Sequence, residues 1–391
     1  VLTRRGWGLT VGALGLVLAG RLLGLLELYV LAAGAWALMG SALAFLALRP
    51  AGLEATRTLH PARLQVGDES QVELFVANRG RRPTAVVELR DPVDGGPRRA
   101  RMLLAPMAPG REERATYRIP TERRGVLRVG PLEARRFDPL ALATSGRTVA
   151  GPAELVVHPV VEQLLALPRA PGDDRRAGFR PATAMGANGD DFYALRPWVV
   201  GDDLRRVHWP STARRDELMV RQHDVPWQGR ATVVLDVRAR YHDEDSLEQA
   251  VSAAASIAVS SGQGGSLVRL VTTDGGDTGL GAGPAHLEAV LDRLARVEAA
   301  DRSLPDLPDL PEVDGAMALV VAADVPSADV SRLARLSGGT GSLTVVAVQR
   351  EGWGPPQAGP GRTVLVGPGQ PLAPAWNRAM ARARGVRGAL G

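Results

Sequence analysis

The chain has no cysteine and no lysine, and aromatic residues make up only 4% of its 391 positions. Without thiols it is no disulfide scaffold, thiol enzyme, iron–sulfur protein or cysteine-ligated zinc protein. Without lysine it has no Schiff-base chemistry and no phosphate loop that depends on one. All 47 basic residues are arginine, a bias that a GC-rich genome explains, so arginine content is not read as a nucleic-acid signal. Neither a helix-turn-helix pattern nor an RNA-binding aromatic signature is present, and nucleic acid is not expected as a partner. The length suits about two or three domains.

Charge is distributed unevenly. The net count is +2 over residues 1–48, +7 over 49–150, 0 over 151–230 and −4 over 231–391. Between Gly6 and Leu48 the only charged residues are Arg21 and Glu27. Leu28 to Leu48 is a charge-free run, long enough at about 1.5 Å per residue to span a hydrocarbon core of about 30 Å. The pattern predicts a transmembrane helical hairpin over residues 1–50 with Arg21–Glu27 as its turn. Arg4 and Arg5 before it and Arg49 and Arg57 after it put both ends in the cytoplasm by the positive-inside rule. The competing reading, Leu2 to Gly20 as a cleaved signal peptide, lacks an Ala-x-Ala site and is followed at once by a second apolar span. The +7 segment then lies beside the anionic leaflet, unless its arginines simply solvate strand faces.

Residues 51–160 read as an all-β, sandwich-like domain. Strand-like runs include Gln71–Asn78, with Val72, Leu74 and Val76 on one face, and Ala85–Asp91, Arg101–Met107, Arg114–Pro120, Gly125–Gly130 and Ala153–Pro159. Turn signals such as Val66-Gly67-Asp68 and Pro109-Gly110 separate them. His60 and His158 each precede a proline and are expected to be turn residues.

Residues 161–230 connect this domain to the next and contain the densest polar passage in the chain, residues 190–224. Three readings compete there. A metal site is weak, because His208 has no second histidine at ligand spacing. Catalysis with Asp202 as base and His208 as acid lacks a marked nucleophile. A structural or recognition network pairs arginine forks with carboxylates and packs aromatics on guanidinium planes.

In this passage the chain resembles the bacterial domain-of-unknown-function 58 family (DUF58). The signature runs through Asp191, Leu195, Arg196, Gly201, Asp202, Arg205, Arg206, Val207, Trp209, Thr212, Ala213, Arg214, Leu218, Val220 and Arg221. His208 lies inside it. Upstream, Arg124, Gly125, Gly130, Pro131, Asp138, Pro139 and Leu140 match a run of the family's β region, which makes that domain an immunoglobulin-like sandwich by implication. Ala141 departs from it at the turn where a glycine is usual.

Residues 231–391 alternate strands and helices. Strands are predicted at Ala231–Val237, Ser266–Thr273, Ala316–Ala323, Ser342–Val348 and Arg362–Val366, and helices at Ser246–Ser261, Pro284–Glu298, Ser327–Leu336 and after Pro374. This is the pattern of a doubly wound α/β sheet whose functional loops stand at the strand C-terminal ends. The glycines at 262, 264 and 265 follow a helix and precede a strand, the reverse of a dinucleotide turn. Residues 301–314 read as an extended acidic linker, and His223, His242 and His286 as surface or linker residues.

Family members resemble von Willebrand factor A domains in this part. Those bind a divalent metal through an Asp-x-Ser-x-Ser loop, together with a threonine and an aspartate from later loops. Here the loop reads Asp236, Val237, Arg238, Ala239, Arg240, and Asp324 ends a later strand. With arginine at both serine positions, an internal ion pair in place of a metal is expected, and no cofactor.

The family resemblance implies a membrane-anchored protein-binding adaptor, soluble domains in the cytoplasm, working with a MoxR-type AAA+ ATPase in assembly or maturation of an envelope or metal-dependent complex. No small-molecule substrate is identified. The recognition face is placed on Asp202, Arg205, Arg206, His208, Trp209 and Arg214. The alternatives are a membrane-bound hydrolase using Asp202 and His208, and a structural tether in which the polar block only joins domains.

Overall fold

A computed structural model describes residues 1–48, 52–94, 98–168, 192–197, 209, 212, 219–223, 229–301, 315–337, 342–351 and 361–388. The chain forms two compact units, Val1–Val160 with Asp292–Arg296, and Val161–Leu291 with Val297–Gly391.

The first unit opens with two helices, α1 (Arg4–Leu23) and α2 (Leu26–Leu48), both long and apolar enough to cross a membrane. The turn is shorter than the expected Arg21–Glu27. Arg21, Leu22 and Leu23 are good helix formers and continue α1, and the chain leaves the helix only at Gly24, whose N–H bonds Gly20 O at 2.9 Å. Buried positions on α1 are Gly6, Ala13 and Gly20, one every seventh residue, and Ala32, Met39 and Leu46 follow the same spacing on α2. That is the seam of two helices packed at close range through small residues. The remaining surface is apolar and open, as at Val11, Leu14, Leu18, Val30, Leu31 and Leu43.

Ten strands follow: β1 (Leu53–His60), β2 (Arg63–Gln65), β3 (Glu69–Asn78), β4 (Val87–Pro92), β5 (Arg99–Leu104), β6 (Glu112–Pro120), β7 (Gly125–Val129), β8 (Leu132–Phe137), β9 (Thr144–Ala150) and β10 (Ala153–His158). They make sheets of order β1-β3-β6, β5-β4-β8-β9 and β2-β10-β7. One apolar core joins them. Val72, Leu74 and Val76 of β3 meet Val87 and Leu89 of β4, Leu132 of β8 and Leu155 of β10, each burial worth about 1.5–3 kcal/mol. The alternation in β3 is the one legible in sequence. β8 and β9 were not, because "LEARRF" and "TSGRTVA" carry few apolar residues. His158 is no turn residue but the buried end of β10.

Arg57, which the sequence placed among the flanking charges of the hairpin, is instead buried. Its Nε donates to Asp91 Oδ2 at 3.0 Å and its Nη2 to Asp91 Oδ1 at 2.5 Å, while Nη1 donates to the carbonyls of Val129 and Gly151 at 3.0 and 2.8 Å. Tyr117 Oη donates to Asp91 Oδ2 at 2.7 Å. Arg57 and Tyr117 come from the β1-β3-β6 sheet and Asp91 from the β5-β4-β8-β9 sheet, so the network ties those two sheets together. A Cβ at Gly130 would stand 2.7 Å from the Arg57 guanidinium, which accounts for the glycine in the Gly130-Pro131 pair.

The turn Asp138–Ala143 meets the base of the helices. The buried Asp138 carboxylate accepts from Leu140 N at 2.9 Å and Ala143 N at 2.6 Å. Thr3 N and Thr3 Oγ1 donate to Leu142 O at 2.9 Å and Ala141 O at 2.6 Å, and the same Oγ1 caps α1 by accepting from Gly6 N at 3.1 Å. A Cβ on Gly6 would lie 2.1 Å from Leu142 O, so only glycine fits there. Leu142 and Ala143 pack with Met39, Ala42 and Leu46. Ala141 has φ 54, the left-handed region that costs a non-glycine residue about 1–2 kcal/mol. Ala141→Gly is therefore expected to stabilise the protein by about 0.5–1 kcal/mol net of glycine's greater chain entropy, read as a higher thermal unfolding midpoint of the intact chain in detergent. An unchanged or lower midpoint would show that the turn carries no such strain.

The second unit contains β11 (Phe192–Pro197), β12 (Met219–His223), β13 (Arg230–Leu235), α3 (Glu244–Gln263), β14 (Leu267–Thr272), α4 (Pro284–Ala295, whose last residues group with the first unit), β15 (Ala316–Ala322), α5 (Ser327–Ala334), β16 (Leu343–Val348), β17 (Arg362–Val366) and α6 (Leu372–Gly388). β11 and β12 pair antiparallel. The other five strands form one parallel sheet of order β14-β13-β15-β16-β17. The order reverses at β13, so the topological switch point lies between β13 and β15. β15 is buried at every position, as a central parallel strand must be. α3 begins two residues earlier than its periodicity suggests, because Asp243 and Ser246 form a reciprocal cap (Ser246 N to Asp243 Oδ1 2.8 Å, Asp243 N to Ser246 Oγ 3.0 Å).

Residues 161–168 have no regular structure but are pinned to this unit. Glu162 accepts from Leu372 N and Ala373 N at 2.9 and 2.8 Å, capping α6, and Trp376 Nε1 donates to Leu165 O at 2.7 Å. A carboxylate at a helix N-terminus also meets the positive end of the helix dipole.

Candidate functional site: an ion pair at the switch point

β13 ends at Leu235, and Asp236 follows it with its N–H on Val320 O of β15 at 2.9 Å. Asp236 and Arg238 are both fully buried, at 0% exposure. Arg238 Nε donates to Asp236 Oδ1 and Oδ2 at 2.9 and 3.0 Å, Nη2 to Oδ2 at 2.6 Å, and Arg238 N to Oδ1 at 3.1 Å. Thr273, just past β14, donates Oγ1 to Asp236 Oδ1 at 3.2 Å and accepts from Val237 N at 2.9 Å. Arg238 Nη1 reaches Asp329 Oδ2 at 2.8 Å. One guanidinium thus links two carboxylates, one after β13 and one in the first turn of α5.

The electrostatics follow from burial and pairing. Burial acts to lower the Arg238 pKa, but the bonds and charges of Asp236 and Asp329 outweigh it and hold it above the ordinary arginine value. The guanidinium carbons of Arg238 and Arg240 lie 4.6 and 4.7 Å from the Tyr241 ring centroid, close enough for cation–π attraction. Burial, foremost, raises the Tyr241 pKa. His242 is a buried residue, not the surface histidine expected from sequence. Neither of its ring nitrogens has a hydrogen-bond partner, and burial pushes its pKa below the usual value although Asp236 and Asp324 act the other way.

The arrangement bears on the metal that an Asp-x-Ser-x-Ser loop would hold. The oxygens of Asp236 are occupied by the Arg238 fork, and a divalent ion beside that fixed positive charge would be repelled. The residues present do not fit such an ion. Among the described residues there is also no group of three or more His, Asp or Glu side chains placed to hold a metal. Asp324 does not join Asp236. It pairs with Arg350 Nη2 at 2.7 Å, and Asp329 is the acid that reaches Arg238. Sequence spacing pointed to the aspartate nearest the strand end, whereas Asp329, five residues later in the first turn of α5, is the one that reaches Arg238.

For the polar signature, Arg196 lies in β11 opposite Val220, and Arg221 in β12 opposite Leu195. Trp209 is exposed, at 65%. Asp191, Gly201, Asp202, Arg205, Arg206, His208 and Arg214 lie outside the described residues, as does nearly all of the acidic linker. His223 belongs to β12 and is not a linker residue, and His286 in α4 has its Nε2 2.9 Å from Val268 O.

The family model described as "Protein of unknown function DUF58" matches residues 194–355, a span that takes in β11, β12, the buried pair and the sheet through β16. Across that span the chain matches the DUF58 family. No curated protein matches it. Among solved structures, the chain is similar to the CARDB domain of a Pyrococcus furiosus protein (15% identity, 27% of this chain and 91% of that one, TM-score 0.21) and to the putative ApaA protein from Bordetella pertussis (16%, 28% and 96%, TM-score 0.21). A Pseudomonas fluorescens alkylpurine DNA glycosylase, AlkC, is similar at 12% identity over 29% of this chain and 32% of that one, TM-score 0.19. At such scores these likenesses define neither the fold of the whole DUF58 chain nor its function.

Proposed function

We propose that this DUF58 protein is a membrane-anchored adaptor that binds a protein partner through its second unit. The observation that carries the reading is the buried Arg238–Asp236 pair, which Arg238 extends to the half-buried Asp329. An open α/β sheet ordinarily takes its ligand at the switch point, and here that place is filled by the protein's own charges. Strand order, Asp236 after the first strand and Thr273 after the second support a von Willebrand factor A-like domain in which the metal position has become structural. The two-sheet core, tied by Arg57 and Asp91, supports the immunoglobulin-like reading of the β domain. α1 and α2, apolar on their open faces and fixed at one end to the turn at Leu142, support anchoring of the hairpin with both ends on one side. By the arginine flanks Arg4 and Arg5, that side is the cytoplasm.

The partner implied by the family resemblance is a MoxR-type AAA+ ATPase, in assembly or maturation of an envelope or metal-dependent complex. The exposed Trp209 is its anchor on this reading, because exposed Trp and Arg dominate protein interfaces. Trp209→Ala and Arg214→Ala in the full-length protein are expected to cut co-purification of a MoxR-type AAA+ ATPase at least tenfold, with the thermal unfolding midpoint unchanged. Undiminished capture would sink the placement of the recognition face. Loss of folding in both variants would favour the tether. Asp202 and His208 lie outside the described residues, and no observation favours the hydrolase reading.

A further inference from the structure

At the C-terminal end of α2 a cavity of about 610 Å³ opens within the first unit. Phe45 and Leu48 of α2 and Phe137 form an apolar wall, Arg81, Arg82 and Arg136 supply charge of one sign, and among the described residues no acidic one lines it. The cationic side is held in place. Buried Asn78 donates Nδ2 to Arg82 O at 2.9 Å and Met107 O at 3.0 Å and accepts from Gly80 N at 3.0 Å, while Thr84 Oγ1 accepts from Met107 N at 2.9 Å. Arg136 sits on β8, paired across to Val87 and Ser145, and its carbonyl accepts from Thr144 Oγ1 at 3.0 Å. Burial lowers the Arg136 pKa.

We propose that this cavity binds the phosphate headgroup of an anionic phospholipid, with an acyl chain running along α2 past Phe45 toward the exposed Leu38, seven residues back on the same face. Guanidinium groups match phosphate in fork geometry, and a basic pocket at the end of a membrane helix lies at headgroup depth. The apolar wall continues into the exposed apolar surface of α2, which distinguishes a lipid from a free anion. The inference rests on the membrane-anchoring reading above.

The test uses the full-length protein in detergent, with native mass spectrometry of bound lipid. Added phosphatidylglycerol is expected to give one retained adduct, at least tenfold more abundant than phosphatidylcholine. Arg81→Gln/Arg82→Gln/Arg136→Gln is expected to lower that adduct at least tenfold, and Phe45→Ala severalfold, with the circular dichroism spectrum retained. Equal adducts of the two lipids, or wild-type retention in the triple variant, would overturn the proposal. If the triple variant does not fold, the Phe45→Ala and lipid-choice arms decide it. Displacement of phosphatidylglycerol by millimolar inorganic phosphate would mark an anion site instead and also overturn it. Carbonate extraction of membranes separates the two ideas: a chain released from membranes refutes the anchor, whereas a retained chain without lipid preference refutes only the cavity.

Discussion

Arg238→Leu is expected to destabilise the α/β unit by about 3–5 kcal/mol, because it strands the Asp236 carboxylate without its partner at a fully buried site. Among the described residues, only Thr273 Oγ1 and the residue-238 amide would still donate to it. Hydrogen exchange of β13 and β15 peptides in the intact protein reads the loss, as faster exchange in the second unit with the first unaffected. The double variant Asp236→Asn/Arg238→Met should recover a large part, since a neutral amide can still accept those two bonds and no buried charge remains. If Arg238→Leu leaves exchange of β13 unchanged, the pair is not structural. The same geometry predicts that calorimetric titration of the wild type with magnesium or manganese gives no micromolar isotherm. Micromolar binding lost in Asp236→Ala would show that the fork yields to a metal.

The second large effect is expected at the sheet-bridging network. Asp91→Ala leaves the Arg57 guanidinium buried with only the carbonyls of Val129 and Gly151, at an expected cost of about 3–5 kcal/mol. Tyr117→Phe removes one hydrogen bond to a carboxylate, about 1.5–3 kcal/mol. Tyr117 adds a pH dependence with a defined sign. Burial first, and then the Asp91 charge, holds its pKa well above the ordinary value of 10.0. The unfolded chain therefore gives up the phenolic proton first. Stability is full below about pH 10 and falls as pH rises further. The absence of lysine and cysteine leaves the four tyrosines as the side chains with an ordinary pKa near 10, and since the Tyr241 pKa is raised as well, the Tyr117 share is the part of the fall that Tyr117→Phe removes. Urea midpoints at pH 9 and pH 11, followed by circular dichroism, should fall for the wild type and fall less for Tyr117→Phe. Equal falls in both would mean that Tyr117 is not the titrating group.

Legibility from sequence varied with the length of the contacts involved. The hairpin is visible because lipid-compatible helices are apolar on all sides, a property of composition alone. Of the five parallel strands, β13, β15 and β16 are visible as apolar runs, since a strand buried on both faces has no alternation to misread, whereas the edge strand β17 alternates buried and exposed positions. β8 and β9 escaped because their stability comes from pairing with β4 and with each other, not from their own residues. The hairpin turn was drawn too wide because Arg21 and Glu27 look like a polar loop, yet Arg21 still sits well on the last turn of a helix.

At the candidate site the sequence supplied Asp236, Arg238 and Arg240 by their spacing, and the DUF58 signature by its ordered unlike residues. It misassigned Asp324, read His242 as a surface or linker residue, and passed over Asp329, Thr273 and Tyr241, which lie 5 to 93 positions beyond Asp236 along the chain and gather around Arg238 and Asp236 only in the fold. Arg57 makes the same point in the β domain, where its neighbours in sequence marked it as a membrane flank and Asp91, 34 residues on, makes it a buried tie.

Thus the missing residue types, the apolar runs and the βα alternation by themselves determined what this protein does without, thiol and lysine chemistry, and which elements it is built from. These follow from local chain properties, which neighbours along the sequence specify. Which arginines carry buried structure, which acid meets Arg238, and that Arg81, Arg82 and Arg136 share one cavity with the end of α2 were decided by the tertiary structure alone. The reason is that charge pairing falls off over a few ångströms in space, and only the fold sets those distances.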